Sequence, residues 1–120
     1  MPDSSTTVAA LKALIGTFAA ERAWGPFHSP KNLVMGLAVE TAELMEHFLW
    51  VDAEASRRVT DDPKEREAIA DEIADVAGHL FNLCNVLGID LSDAMTAKMV
   101  KNERKYPAEQ YRGKARHEDK

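Results

Sequence analysis

The sequence lacks several features that would place it in a specialised class of protein. It has one cysteine, Cys84, which excludes an internal disulfide framework and is typical of a reducing compartment. No apolar run approaches the roughly 20 residues of a membrane span, so no membrane partner is expected. The N-terminal MPDSSTT has neither the basic region nor the apolar core of a secretory signal. These absences predict a soluble cytoplasmic protein.

The 15 lysines and arginines are outnumbered by 20 acidic residues. The 120 residues carry a formal net charge of −5, so the broad basic surface of a nucleic-acid-binding protein is missing and no nucleic acid polymer is expected as a partner. A chain of this length forms one domain with a moderate core. We therefore expect a single helical domain over residues 1–120, with about five flexible N-terminal residues and a flexible tail from about residue 112.

Helical periodicity is what the sequence does contain, and no strand-like alternation accompanies it. Ser29 before a proline, Asp62 in a capping-box spacing and Asp90 are suited to begin helices. Gly88 is suited to end one in the left-handed conformation. The fold class is therefore all-α, a bundle of four principal helices. These helices are predicted over about 6–23, 30–51, 63–87 and from the Asp90 cap to about 105.

The second and third helices share a pattern of acidic residues. The stretch ETAELMEH reads E-x-x-E-x-x-x-H, and EIADVAGH reads E-x-x-D-x-x-x-H. Positions i, i+3 and i+7 share one helix face, and here that face adjoins the apolar seam. None of the acidic residues has a lysine or arginine at i+4, and four unpaired carboxylates facing one another require cations. A metal site is therefore favoured over an ordinary solvated face, and its predicted residues are Glu40, Glu43, Glu72 and Asp75.

Two kinds of metal site fit such a pattern. Carboxylate ligands without cysteine suit Mg²⁺, Mn²⁺ or Ca²⁺. Helical glutamate and histidine can also build a di-iron or di-manganese site, in which histidine follows glutamate by three residues. Here His47 and His79 follow the second acidic residue by four, which disfavours that site without excluding it. A packing, hydrogen-bonding or substrate-facing role is favoured for both histidines.

Three segments, in order along the chain, resemble the MazG-like all-α nucleoside triphosphate pyrophosphohydrolases, and most closely their dCTP pyrophosphatase branch. They are FAAERAWGPFHSPKNLVMGLAVETAELMEHFLW, EIADV and KMVKNERKYP, and the likeness covers about residues 8–113. The family's metal motif is E-x-x-E on one helix followed by E-x-x-D on the next. The resemblance implies Mg²⁺-dependent hydrolysis of a (deoxy)nucleoside triphosphate, dCTP or a modified dCTP, to the monophosphate and pyrophosphate, with Mn²⁺ as a possible substitute.

The resemblance also implies roles for individual residues. Glu40, Glu43, Glu72 and Asp75 would be both metal ligands and catalytic residues, and the base for the attacking water is left open between these four and Glu46. The implied base pocket consists of Trp24, His28, Asn32 and Trp50, with one tryptophan completing the site of a neighbouring subunit. The implied triphosphate or sugar pocket consists of Lys98, Asn102 and Tyr106. His79 stands where the family commonly has tyrosine, so it is expected to face the substrate.

Self-association and two other functions complete the interpretation. The second and third helices are apolar over too much of their circumference for a small monomer, which predicts a homodimer or homotetramer. A related hydrolase acting on dUTP or another nucleotide, such as phosphoribosyl-ATP, remains open. So does a non-catalytic helical interaction module that only binds metal.

Overall fold

The computed structural model describes residues 1–114, and these residues form helices and turns without any strand, which confirms the all-α prediction. Of the tail predicted to be flexible, residues 115–120 lie outside the described residues. The α-helices are α1 (Val8–Glu21), α2 (Pro30–Glu46), α3 (Ala53–Ser56), α4 (Pro63–Leu87), α5 (Leu91–Lys105) and α6 (Ala108–Tyr111), and 3₁₀ turns lie at Asp3–Ser5, Gly25–Phe27 and Val59–Asp61. The flexibility of the N-terminal residues stays a prediction.

The chain divides into two compact units. Met1–Ile89 contains α1 to α4, and the second unit, from Asp90 onward, contains α5 and α6. The acidic motifs both lie in the first unit, whereas KMVKNERKYP lies in the second. The single domain expected from the length of the chain stays a prediction.

Helices α2, α4 and α5 begin, and α4 ends, where capping chemistry predicts. Ser29, Asp62 and Asp90 accept hydrogen bonds from first-turn backbone N–H groups at 3.2, 3.0 and 2.8 Å. A proline occupies the first helical position after both Ser29 and Asp62, where its missing N–H costs no hydrogen bond. Gly88 ends α4 with φ of 67°, a conformation that glycine adopts without steric strain.

The second helix is shorter than predicted. It ends at Glu46 rather than near residue 51, because the N–H groups of His47 and Phe48 bond to carbonyls three residues back, at 3.2 and 2.9 Å, and the winding tightens. Asp52 then caps α3, a single turn within the connection predicted to be polar. The expectation of one helix through residue 51 was therefore wrong.

Helix α4 is the centre of the first unit. It packs most extensively against α2 and also contacts α1. The buried side chains of this unit are Ala19, Leu33, Ile69, Asn82 and Cys84, from these three helices. At the end of α4, the Lys12 Nζ donates to the Ile89 carbonyl at 2.9 Å, which ties α1 to the turn after Gly88.

Candidate metal centre and adjoining cavity

The packing of α2 against α4 brings three of the four predicted metal ligands together. Glu40, Glu43 and Glu72 each offer a carboxylate oxygen, and these oxygens lie within 4.8 Å of one another. Like charges at this separation repel one another unless a cation or a proton intervenes. We refer to these three residues as the carboxylate cluster.

Two oxygens of the cluster are sealed from solvent. Glu40 Oε2 and Glu72 Oε2 are buried, and among the described residues neither has a hydrogen-bond partner. A buried acceptor left unpaired costs free energy, and each such atom requires an explanation. A divalent cation between the two helices would satisfy both oxygens. The residues present therefore fit an oxygen-coordinated cation such as Mg²⁺ or Mn²⁺.

The electrostatics of the cluster point the same way. Burial raises the pKa of the Glu40 carboxyl above its ordinary value, and the side chain of Glu43 and the charge of Asp75 raise it further, against an opposing effect from His79. Burial likewise raises the pKa of Glu72, with added contributions from Glu43 and Asp75. Both groups therefore hold a proton more tightly than an ordinary glutamate does. A bound cation would displace those protons and restore the charged form.

Asp75, the fourth predicted ligand, occupies a different position. Its side chain lies outside the set of oxygens within 4.8 Å, yet its charge acts on both Glu40 and Glu72. It is exposed and also lines a cavity next to the cluster. Asp75 thus adjoins both the carboxylate cluster and the cavity.

The two motif histidines make other contacts. His47 Nδ1 lies 3.1 Å from Glu65 Oε1, so Glu65 contacts histidine instead of completing the capping box with Asp62. His79 Nδ1 lies 3.1 Å from the Asp75 backbone oxygen. The His79 ring packs directly on the backbone of Gly36, where an added Cβ would lie 2.7 Å from a ring carbon. Among the described residues, neither histidine belongs to the carboxylate cluster.

The cavity holds about 270 Å³ between α1, α2, α4 and the segment before α2. Its walls are mostly apolar, and Trp24 packs edge-to-face on both Phe18 and His28, with ring centroids 5.7 and 5.9 Å apart. Apolar walls with a few polar groups are typical of a small-molecule pocket. Of the predicted substrate-binding residues, the lining includes Trp24, His28 and His79, together with Asp75.

Asn82 is a lining residue that the sequence interpretation missed. It is buried, and its Nδ2 lies 3.0 Å from His28 Nδ1. One signal was available, because Asn82 follows Asp75 by seven residues and His79 by three, and therefore shares their helix face. A polar residue at that position, otherwise surrounded by apolar ones, was the clue.

Two residues of the predicted base pocket lie elsewhere. Asn32 is exposed, and its Nδ2 donates to the Phe27 carbonyl at 3.1 Å, which orders the segment entering α2. Trp50 is 92% exposed and does not line the cavity. Their roles in substrate binding stay predictions.

The remaining predicted residues lie in the second unit. Lys98 is exposed and Asn102 is half-buried on α5. Tyr106 follows α5, where its ring packs edge-to-face on Tyr111 with centroids 5.1 Å apart. Lys98 and Asn102 share a helix face as predicted from their spacing. The triphosphate or sugar pocket assigned to these three residues stays a prediction.

Comparison with known proteins decides the family. A profile of the MazG-like family matches residues 36–117, which include all four predicted metal ligands. The chain belongs to the MazG-like family. No helix among the residues that the structure describes is both long and apolar enough to cross a membrane.

Two kinds of relative extend the comparison of this MazG-like chain. It is 38% identical over 112 residues to dCTP pyrophosphatase 1 of Bos taurus and 39% identical over 111 residues to dCTP pyrophosphatase 1 of Homo sapiens, and covers 66% and 65% of their lengths. These matches take in 93% and 92% of this chain, which is therefore similar to about two thirds of each relative. The crystal structure of a pyrophosphatase from Archaeoglobus fulgidus is similar with a TM-score of 0.78 and 34% identity, over 89% of this chain and 98% of that one.

Proposed function

We propose that this MazG-like protein is a Mg²⁺-dependent nucleoside triphosphate pyrophosphohydrolase that converts dCTP, or a modified dCTP, to the monophosphate and pyrophosphate. The observation that carries the proposal is the pair of sealed oxygens, Glu40 Oε2 and Glu72 Oε2, beside an apolar cavity. The names of the two mammalian relatives support the cytosine nucleotide. Mn²⁺ is a proposed substitute because it accepts the same oxygen ligands.

The carboxylates have two tasks in this proposal. Glu40, Glu43 and Glu72, with Asp75, would hold the divalent metal. That metal would supply positive charge to offset the charge of the phosphates and to make a water easier to deprotonate. A carboxylate that is not engaged by metal, one of these four or Glu46, would accept the proton of the attacking water as it forms a bond to phosphorus. The phosphoanhydride bond then breaks, releasing the monophosphate and pyrophosphate.

The cavity would hold the nucleobase. Trp24 and Phe18 supply apolar ring surfaces, whereas His28 and His79 supply polar groups on the same walls. Because Asp75 adjoins both the cavity and the carboxylate cluster, a base in the cavity places the attached phosphates toward the metal ligands. We extend the proposal to Lys98, Asn102 and Tyr106, as cationic and polar contacts for the triphosphate or sugar, and to Trp50 and Asn32 at the base; these roles follow from the family resemblance.

The protein is also proposed to act as a cytoplasmic homodimer or homotetramer. The support is the apolar surface of α2, where Val34, Met35 and Val39 are 50%, 56% and 56% exposed. Exposed apolar surface of this kind is typical of an interface between subunits. Sedimentation equilibrium should find at least a dimer, and a single species of monomer mass would refute this part of the proposal.

The decisive experiment measures pyrophosphate release from the purified protein with each common dNTP and NTP and with 5-methyl-dCTP, with and without Mg²⁺. The expected result is Mg²⁺-dependent release, with a monophosphate as the other product, and the highest kcat/KM for a cytosine deoxynucleotide. Preference for dUTP or another nucleotide would retain the reaction and replace the substrate. Metal binding without turnover of any nucleotide would instead identify a non-catalytic metal-binding module.

A further inference from the structure

One buried polar side chain in the cavity has no part in the metal chemistry proposed above. Asn82 is 6% exposed, and its Nδ2 lies 3.0 Å from Nδ1 of His28, 54 residues away in the sequence. Both residues line the cavity. A buried amide is costly unless it makes hydrogen bonds, and this bond joins the middle of α4 to the segment between α1 and α2.

The bond determines which ring nitrogen of His28 carries hydrogen. An amide nitrogen donates and never accepts, so with Asn82 Nδ2 facing it His28 Nδ1 is the acceptor, and the neutral ring then carries its hydrogen on Nε2. With its hydrogen on Nε2, His28 offers an N–H donor on a residue that lines the cavity.

The second imidazole of the cavity is arranged differently. The His79 Nδ1 contact is with a backbone carbonyl, which can only accept, so Nδ1 of His79 donates and its Nε2 carries no hydrogen in the neutral ring. This Nε2 also packs against Gly36, where an added Cβ would lie 2.8 Å from it. His79 in its neutral form therefore cannot replace His28 as an N–H donor from Nε2.

We infer that Asn82 is a positioning residue that sets base selectivity, because it holds His28 as a hydrogen-bond donor at Nε2. This inference rests on the proposed function and deepens it. An N–H donor matches the unprotonated ring nitrogen N3 of cytosine, which accepts a hydrogen bond. It cannot bond to N3 of uracil or thymine, because that nitrogen carries a hydrogen and is itself a donor. The Asn82–His28 pair thus selects cytosine nucleotides over the other two pyrimidines.

Two variants of Asn82 change the bond without changing the size of the side chain greatly. Asn82→Asp offers only acceptors, so His28 Nδ1 must carry the hydrogen. In its neutral form the ring then has an acceptor at Nε2. We expect the ratio of kcat/KM for dCTP to that for dUTP to fall about 100-fold, mainly through KM. Asn82→Leu removes the bond, and the ratio should fall about tenfold.

A matched control lies one turn further along the same helix. Asn85 is exposed, and its Nδ2 donates to the Lys12 carbonyl at 2.9 Å, away from the cavity. Asn85→Leu makes the same chemical change and also removes one hydrogen bond. It should leave the dCTP to dUTP ratio within twofold of the wild-type ratio. A fall in this control as large as that in Asn82→Leu would show that the effect does not come from the Asn82–His28 bond.

The tautomer itself is measured by ¹⁵N NMR of protein with labelled histidine, with the His28 signals assigned from their loss in His28→Gln. The wild type should carry the hydrogen on Nε2, and Asn82→Asp should carry it on Nδ1. Hydrogen on Nδ1 in the wild type, or a changed tautomer with an unchanged dCTP to dUTP ratio, would overturn the inference. Absence of turnover in the wild type would overturn the proposed function and the base selectivity, while the NMR result still decides whether Asn82 sets the tautomer.

Discussion

The acidic motifs of α2 and α4 have the same spacing, yet their residues have different surroundings. The α2 motif contributes both of its acidic residues to the carboxylate cluster, whereas α4 contributes Glu72 and places Asp75 at the cavity. Helical spacing determines which residues share a face. It does not determine how far each side chain lies from the partner helix, which depends on where the two helices come closest.

The histidines that end the two motifs differ as well. His47 contacts the side chain of Glu65 on α4, near the point where α2 ends. His79 contacts its own helix and packs on Gly36 of α2. The same residue type at the same motif position therefore orders a connection in one case and a cavity wall in the other. The difference lies in the neighbouring residue: His47 contacts an acidic side chain, whereas His79 packs on a glycine.

The largest expected effect concerns the cluster. Glu43→Gln removes one charged ligand, and since a catalytic metal contributes several kcal/mol to transition-state stabilisation, kcat should fall by roughly 1,000-fold. The fold should remain intact because the change also relieves repulsion between carboxylates. Circular dichroism and a steady-state assay measure both effects.

Two further variants complete that assay. Asp71→Asn alters an exposed acidic residue of α4 outside the cluster and should keep activity within about twofold of the wild type.

Asp75→Asn tests the comparison between the motifs directly. A loss equal to that of Glu43→Gln would make the two motifs equivalent in function despite their different geometry. Wild-type activity in Glu43→Gln would refute the metal site.

The next effect is on stability and depends on pH. In the folded protein the pKa values of Glu40 and Glu72 are raised, so the folded state holds these protons more tightly than the unfolded state. Without metal, their contribution to stability is therefore present at low pH. As the pH rises from the ordinary value of 4.5 through the raised values, the free energy of unfolding falls. Above the raised values these two groups no longer change it.

Added Mg²⁺ should reverse that loss. At about pH 7 and about 100 times its dissociation constant, it should stabilise the fold by about 2.7 kcal/mol, because it binds the folded state alone. At about pH 4 protons compete for the same oxygens, and the shift in Tm should largely vanish. The double variant Glu40→Gln/Glu72→Gln, followed by thermal unfolding, should lose both the pH-dependent contribution and the Mg²⁺ shift. An equal Mg²⁺ shift in that variant would place the metal elsewhere.

The smallest effect tests the contrast between two helical glycines. A Cβ at Gly36 would lie 2.7 Å from the His79 ring, so Gly36→Ala forces the ring or the helix to move and should cost about 1–3 kcal/mol. A Cβ at Gly78 would lie 3.6 Å from Ile15 Cδ1, an ordinary contact, so Gly78→Ala should gain up to about 1 kcal/mol of helix propensity. Urea unfolding measures both changes.

A second substitution identifies the cause of the first cost. If the His79 ring is the obstacle, His79→Ala should remove most of the penalty of Gly36→Ala in a double-mutant cycle. If the penalty of Gly36→Ala is unchanged in the His79→Ala background, the contact with the His79 ring is not its cause.

Much of the first unit could be predicted from the sequence because its signals are local. Caps at Ser29 and Asp62 and the glycine after α4 determine helix ends through bonds within a few residues, and the cap at Asp90 does the same for α5 in the second unit. The end of α2 at Glu46 was missed, since the following residues remain apolar and the change is one of winding. Spacing predicted that the acidic residues of each motif share a helix face, whereas the Asn82–His28 bond could not be predicted, because it joins residues far apart in the chain.

Helix α4 supplies Glu72 to the cluster and Asn82 to the cavity, and both α1 and α2 pack against it. Helices at the centre of a packed unit open to solvent only when most of the unit unfolds. Amide hydrogen exchange in the middle of α4 should therefore proceed through the same rare opening that dismantles both sites. Metal bound at the cluster, or a ligand bound in the cavity, would slow amide exchange all along α4. The two sites are therefore linked through cooperative unfolding, without any change of shape.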